Sequence, residues 1–232
     1  MKLAIMQPYF FPYIGYFQLL NAVDKFVFYD DVNYIKGGWI NRNRLFLAGA
    51  VRYITVPLAG ASSFEKISKI CVKTGDEWVK SMLSSVSQSY CKAPFYKPVQ
   101  DLLEGVLGSH NGNIAALAKN SIIAVADYIG ISTDFVHSSV IYGNQEKNGV
   151  ERVLDICRIE TADEYWNLPG GRSLYSTDVF EKNGIDLKFV DVSIQPYQQH
   201  TTEFQSGLSV LDVLMYNEPS NVLAMLNVGM QS

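Results

Sequence analysis

The stretch that decides the fold runs from Ile5 to Leu20, IMQPYFFPYIGYFQLL. Apolar Leu3, Ala4 and Ile5 lead into Gln7-Pro8, and a turn rich in rings and prolines follows. Ile14-Gly15-Tyr16-Phe17 then opens a helical run to about Val23, after a strand over 2–6. A strand, a turn with polar groups and a helix N-terminus can hold an anion, because the first helical N–H groups are unpaired and the dipole places positive charge there. The same pattern also serves as plain scaffold in an α/β domain.

Residues 25–29, KFVFY, read as a second strand, rich in β-formers, and end in Asp30-Asp31. Strand, turn, helix and strand in so short a span make one right-handed βαβ unit with parallel strands. An acidic pair at a strand end suits a ribose hydroxyl or Mg²⁺, with Asp30 the candidate metal ligand, or simply a turn.

The basic cluster of the first half comes next. Lys36, Arg42 and Arg44 bracket Gly37, Gly38, Trp39, Asn41 and Asn43. Arginine forks match phosphate or carboxylate oxygens, glycine permits close backbone approach, and Trp39 offers a stacking face. The competing reading is a twisted hairpin with its charges in water.

Further along, residues 51–56 read as a strand, 58–68 as a polar flap, and 70–72 as a short strand. Helices are expected over 77–90 with Asp76 as N-cap, over 95–107 closed by Gly108, and over 111–128 closed by Gly130. Residues 75–130 therefore form a helical insertion within a single domain spanning 1–232. A strand over 133–136 leads to His137, which titrates near neutral pH and is a candidate base. Lys147, Asn148, Gly149 and Arg152 then stand at a loop-to-helix junction before a helix over 150–158. Two basic junctions on one rim suit a nucleotide spanning a sheet, although the same charges can be solvated. A brief helix from Thr177-Asp178, a last strand over 185–190, and helices over 209–215 and 219–226 complete the chain, with a polar aromatic patch from Gln195 to His200. The expected fold is α/β: a mainly parallel, Rossmann-like sheet with helices on both faces and an added helical layer.

Composition narrows the function. A chain of 232 residues, 48% hydrophobic and 18% charged, can bury a sizeable core, and a net charge of −4 gives no support to nucleic acid as the main ligand. No apolar run is long enough to cross a bilayer, and the first ten residues lack a signal-peptide pattern. Cys71, Cys91 and Cys157 are odd in number and widely spaced, which suits reduced thiols in a cytoplasmic protein rather than a disulfide framework. A homo-oligomer is compatible with this composition.

Several motifs together resemble the WbqC-like family over nearly the whole chain. They are QPYFFPYIGYF (Gln7–Phe17), WINRNR (Trp39–Arg44), the run through Leu174, Tyr175, Phe180, Gly184, Ile185, Leu187 and Phe189, and the tail with Tyr197, Phe204 and 207–214. The resemblance implies a role in bacterial O-antigen or other surface-polysaccharide biosynthesis, as a transferase placing a glycyl or other acyl group on an amino sugar. It marks Gln7, Tyr9, Gly15, Tyr175, Tyr197, Gln199, Ser209 and Asp212 as binding positions beside Asp30, Lys36, Trp39, Asn41, Arg42, Asn43, Arg44, Lys147 and Arg152.

Tyr13-Ile14-Gly15-Tyr16 also sits where nucleotidyltransferase-like α/β proteins carry His-x-Gly-His, a motif that works with ATP. Tyrosine at both histidine positions can donate a hydrogen bond but supplies no positive charge near pH 7. The candidate catalytic groups are therefore His137, His200, Tyr13 and Tyr16. Mg·ATP is the candidate cofactor, and the expected partners are a nucleotide-linked amino sugar and a small carboxylic or amino acid. The alternative is a non-catalytic protein that binds nucleotide sugars or assists assembly.

Overall fold

A computed structural model describes residues 1–227. Strands β1 (Lys2–Met6) and β2 (Lys25–Phe28) flank helix α1 (Ile14–Ala22) in sequence and pair in parallel, with Leu3 opposite Lys25 and Met6 opposite Phe28. This is the βαβ unit read from the opening stretch. Leu3, Ala4 and Ile5 are all buried, as a parallel strand covered on both faces requires.

Between β2 and its other neighbour the chain makes a long excursion. It forms an antiparallel hairpin, β3 (Arg42–Leu47) and β4 (Ala50–Thr55), and a small ladder, β5 (Leu58–Ala59) with β6 (Cys71–Val72). Helices α2 (Glu77–Tyr90), α3 (Tyr96–Gly108) and α4 (Ile114–Ile129) follow. Asn113 caps α4 by accepting from the Ala116 N–H, and Gly130 ends it at φ +82°, where glycine carries no Cβ penalty. Asp76 stands at the start of α2 but makes no side-chain cap bond.

The chain then returns to the sheet through β7 (Asp134–Val136), α5 (Gly149–Ile159), β8 (Glu164–Asn167), α6 (Thr177–Glu181) and β9 (Asp186–Phe189), and ends in α7 (Val210–Tyr216) and α8 (Pro219–Leu226). The five-stranded sheet runs β7-β2-β1-β8-β9, all parallel. In sheet numbering this is order 3-2-1-4-5, so the strand order reverses between β1 and β8. The fold is α/β with a mainly parallel, Rossmann-like sheet. No helix among the described residues is long and apolar enough to cross a membrane.

Two cores lie on the two faces of the sheet. The larger gathers α1, the hairpin and α2–α4 with α7 and α8 around Phe10, Phe11, Phe17 and Phe28. The smaller joins Leu3, Ile5 and Val27 to α5, Tyr165 and Phe180. Tyr165 stacks on Phe180 at 5.3 Å, and Tyr175 meets both rings edge-on.

Three local features sharpen the sequence reading. Residues 42–47 form one strand of a hairpin, as the competing reading of this stretch had it, and β3 alternates half-buried Arg42, Arg44 and Phe46 with buried Asn43, Leu45 and Leu47. Strand β8, between β1 and β9, has only four residues, and its apolar run is too short to signal a strand by periodicity, so the sequence offers none there. The segment 58–68 is tied down rather than free. Its far end hydrogen-bonds the β2 exit loop (Ile67 N–H to Val32 O, Ser68 N–H to Asp30 O), Asn33 bridges Lys66, and Ile67 is buried.

Candidate functional site

Three of the four motifs, the opening stretch, Trp39–Arg44 and the tail, meet at the turn between β1 and α1. Phe11 is buried at φ +40°, a conformation costing a bulky L-residue about 1–3 kcal/mol, and the chain clasps it from four sides. Asn43 Nδ2 donates to the carbonyls of Phe10 and Phe11 (3.1 and 2.9 Å). Ser209 Oγ donates to the Phe11 carbonyl (2.8 Å), and Ser121 Oγ accepts from the Phe11 N–H (2.9 Å). The Phe10 N–H donates to the Trp39 carbonyl, and the Val210 N–H to the Pro12 carbonyl. Asn43 and Ser209 are therefore buried fasteners. Asn41 acts likewise, accepting from Tyr34 Oη and donating to the Val56 carbonyl.

Tyr16 is fully buried and donates to the Gln7 carbonyl at 2.9 Å, with its pKa driven well up by burial. Tyr9 packs 5.6 Å from Tyr16, and Tyr13 is half-buried; burial raises both phenols. A Cβ on Gly15 would lie 2.4 Å from the Tyr13 ring and 2.8 Å from Val192, so protein covers that side of the first turn of α1. Gln7 Oε1, at the strand-order reversal, is buried without a donor.

At the carboxyl ends of β2 and β7 the charges are paired internally. Asp30 takes Lys119 on one oxygen (2.9 Å) and Ser138 Oγ on the other (2.7 Å). Asp31 takes Arg152 at 2.6 Å and Ser139 Oγ, and Arg152 also donates to Asn144 and lies 4.9 Å from the Tyr29 ring centre. Burial works to raise the Asp31 pKa, but the bonds from Arg152 and Ser139 outweigh it and hold the carboxyl below its ordinary range. Lys147 is bound to Asp155. No cluster of three His, Cys, Asp or Glu suited to a metal occurs among the described residues, and both Asp30 oxygens are engaged. His137 is exposed, offers Lys119 its backbone carbonyl, and stands away from any described cavity. Tyr175 belongs to the smaller core.

The open space lies elsewhere. A cleft of about 770 Å³ opens between the β3–β4 hairpin, α2 and the chain around α7. Its walls include Arg52, Tyr53, Tyr90, Tyr216, His200 and Asp212. At the base of that wall, Asp212 is buried to 1% exposure and accepts three hydrogen bonds: from Tyr90 Oη and Tyr197 Oη (both 2.6 Å) and from Gln199 Nε2 (2.8 Å). Burial raises the Asp212 pKa despite these donors, and burial beside Asp212 drives the Tyr90 and Tyr197 phenols upward. The hub thereby fixes the strap 197–205 that carries His200 to the cleft.

Beside the cleft, two guanidiniums flank a pair of rings, one of which, Tyr53, also lines the cleft. Arg42 lies 4.4 Å from the Tyr53 ring centre, Tyr53 is 6.2 Å from Trp39, and Arg44 lies 5.5 Å from Trp39. Lys36 is exposed on the preceding loop.

The structure thus lines one cleft with the tail residues His200 and Asp212, backs it with Tyr197 and Gln199 on Asp212, and places Trp39 and Arg42 against its wall residue Tyr53, with Arg44 beside Trp39. No hydrogen bond or ring contact links them to Lys147, Arg152 or Asp30 among the described residues. Sequence reading missed Arg52, Tyr53, Tyr90 and Tyr216. Arg52 and Tyr53 carried a faint signal, as polar positions in an otherwise β-forming run. Tyr90, at the end of a helix, carried none, because helical tyrosines ordinarily fill cores.

The sheet order and the cleft define an α/β protein with a polar aromatic site outside its parallel sheet. The WbqC-like protein family matches residues 7–224, and the chain belongs to that family. It is also 30% identical over 216 residues to the uncharacterized protein Rv1507c of Mycobacterium tuberculosis, covering 92% of each chain. No solved structure matches it.

Proposed function

We propose that the protein is a transferase of bacterial surface-polysaccharide (O-antigen) biosynthesis that places a glycyl or similar acyl group on the amine of an amino sugar held in the cleft. The observation that carries this reading is the cleft itself. Rings of Tyr53, Tyr90 and Tyr216 stand with Gln88, Ser85, Ser89 and Thr201 around a space of about 770 Å³, with His200 on its wall. Rings and hydroxyls together suit the apolar faces and hydroxyl edges of a sugar.

In this reading the sugar amine attacks the acyl carbonyl carbon. The N–C bond forms, and the bond from that carbon to the donor's leaving group breaks. His200 accepts the amine proton and returns it to the leaving group. Arg52, whose terminal nitrogens make no protein hydrogen bond among the described residues, offsets charge developing on the carbonyl oxygen.

The groups that would hold Mg·ATP do not fit that task as they stand. Asp30, Lys147 and Arg152 each have internal partners, so the acyl group is taken to arrive already activated. Free cysteines agree with a cytoplasmic setting.

One observation favours the alternative of a binding protein: among the described residues no hydrogen bond orients the His200 imidazole. Turnover separates the two. The chain is incubated with nucleotide-linked amino sugars and either acyl thioesters or free amino acid plus Mg·ATP, and the sugar mass is followed. We expect acylated sugar with the activated donor, and His200→Ala is expected to lower kcat by about 10²-fold or more with sugar affinity retained. Saturable sugar binding with no product from any donor would overturn the transferase reading.

A further inference from the structure

The geometry points to a diphosphate subsite beside the cleft, formed by Arg42 and Arg44 on the Trp39–Tyr53 ladder that shares Tyr53 with it. The amino sugar would therefore arrive attached to a diphosphate. This rests on the acceptor reading of the cleft and specifies the chemistry of its substrate.

First, these guanidiniums have no counter-ion among the described residues. The ion pairs of the described residues use the N-terminus, Lys25, Lys97, Lys119, Lys147, Arg152 and Lys188 as cations. Among the described residues Arg42, Arg44 and Arg52 have no carboxylate within 4.0 Å, in a chain whose net charge is −4. Acidic groups outnumber basic ones overall, yet three arginines gather on one hairpin without any of them.

Second, Arg42 and Arg44 are held in fixed orientation. Arg42 donates from Nε to the Gly38 carbonyl (3.2 Å) and from Nη2 to the Gly37 carbonyl, and its plane covers Tyr53. Arg44 donates from Nη2 to the Gly207 carbonyl (3.1 Å) beside Trp39. Gly37 and Gly207 both have positive φ, and a Cβ on either would come within 3.4 and 3.2 Å of the guanidinium it receives. Each guanidinium has five N–H donors, and these bonds use two on Arg42 and one on Arg44. Arg44 Nε is buried with no acceptor, so the protein does not satisfy this group by itself. Two oriented forks with spare donors match the oxygens of two linked phosphoryl groups.

Third, the ladder is continuous with the cleft. Tyr53 belongs to both, and its neighbour Arg52 also faces the cleft. A sugar in the cleft would present its anomeric substituent at the ladder.

The carrier can be a nucleoside or a polyprenyl lipid, since both supply the same diphosphate. The test is calorimetric binding of inorganic pyrophosphate, UDP, farnesyl diphosphate and free amino sugar to the full chain, repeated for R42Q/R44Q and for R42K. We expect UDP or farnesyl diphosphate to bind at least 20-fold more tightly than the free sugar, with an affinity that falls as salt rises. The double variant should weaken diphosphate binding at least 20-fold and free-sugar binding less than twofold, and R42K should fall between. The tighter of UDP and farnesyl diphosphate identifies the carrier. Should the double variant unfold, competition between pyrophosphate and UDP on the wild type, followed by ³¹P NMR, replaces it. Failure of all three diphosphates to bind, or unchanged binding in a folded double variant, would overturn the subsite. Because these readouts need no acyl transfer, diphosphate binding without product would sink the transferase reading and leave the subsite standing.

Discussion

Replacing Asp212 tests whether one buried carboxylate holds the cleft wall together. The carboxylate accepts from Tyr90, Tyr197 and Gln199, and among the described residues no cation pairs with it. Asp212→Ala leaves three buried donors to find new acceptors, each at about 1–3 kcal/mol if it fails. Relief of a poorly solvated carboxylate offsets part of this, since burial holds the Asp212 pKa above its ordinary value. The expected net loss is roughly 3 kcal/mol, a fall in Tm of about 6–12 °C for a chain of this size. Asp212→Asn should cost less. Its carbonyl keeps Tyr90, and Tyr197 can turn its hydroxyl to accept from the new amide. Gln199 cannot flip to accommodate it, because its Oε1 already accepts from the Gln205 N–H at 2.8 Å. One donor-donor conflict remains, at about 1–2 kcal/mol. Urea unfolding reads both changes. The pH dependence carries its own sign: with a raised folded pKa, the stabilisation from protonated Asp212 is fully present below about pH 3.8 and declines as pH rises through the folded pKa. The wild-type advantage over Asp212→Asn should therefore shrink as pH rises across that window. An Asp212→Ala protein within about 0.5 kcal/mol of wild type, or an Asn variant as costly as Ala, would refute the hub.

Three further outcomes follow from the same geometry. Arg152→Met should destabilise by about 3–5 kcal/mol in urea by leaving Asp31 buried and unpaired, and Asp31→Leu in the same chain should recover most of that loss. The pair's contribution is fully present above the ordinary Asp value of about pH 3.8 and is lost as pH falls through the lowered folded value, a dependence the double variant should lack. Gly15→Ala should cost about 1–3 kcal/mol by thermal melt, because the new methyl meets the Tyr13 ring and Val192, and trimming Val192 to Ala should restore part of it. Thiol labelling of the native protein should modify Cys71 and Cys91, which are exposed, and spare Cys157, whose burial pushes its pKa up to about 12; unfolding should expose it.

The order of elements and the α/β class were legible because they rest on short-range signals. Leu3-Ala4-Ile5 and KFVFY carry β-forming runs, Gly130 marks a helix end, and the spacing from Lys2 to Phe28 admits one βαβ unit. Conserving an element's type needs only its neighbours in sequence, so β2 and α4 stand close to where the pattern put them. The motif positions were visible too, but their roles were not. Asn43 and Ser209 carry polar groups that suit a ligand equally well in a list of residues; burial against the Phe11 turn makes them fasteners.

What tertiary structure alone decided is which charges remain available. Arg152 and Arg42 look alike in sequence, yet one is buried on Asp31 and the other lies over Tyr53 with no ion pair among the described residues. That difference is set by partners far away along the chain: 121 residues separate Asp31 from Arg152, 122 separate Tyr90 from Asp212, and 198 separate Phe11 from Ser209. The chain's local pattern fixes which segments become strands and helices, whereas desolvation and ion pairing depend on what the packed fold brings within a few ångströms, and so the cleft, its buried acid and its unpaired arginines exist only in three dimensions.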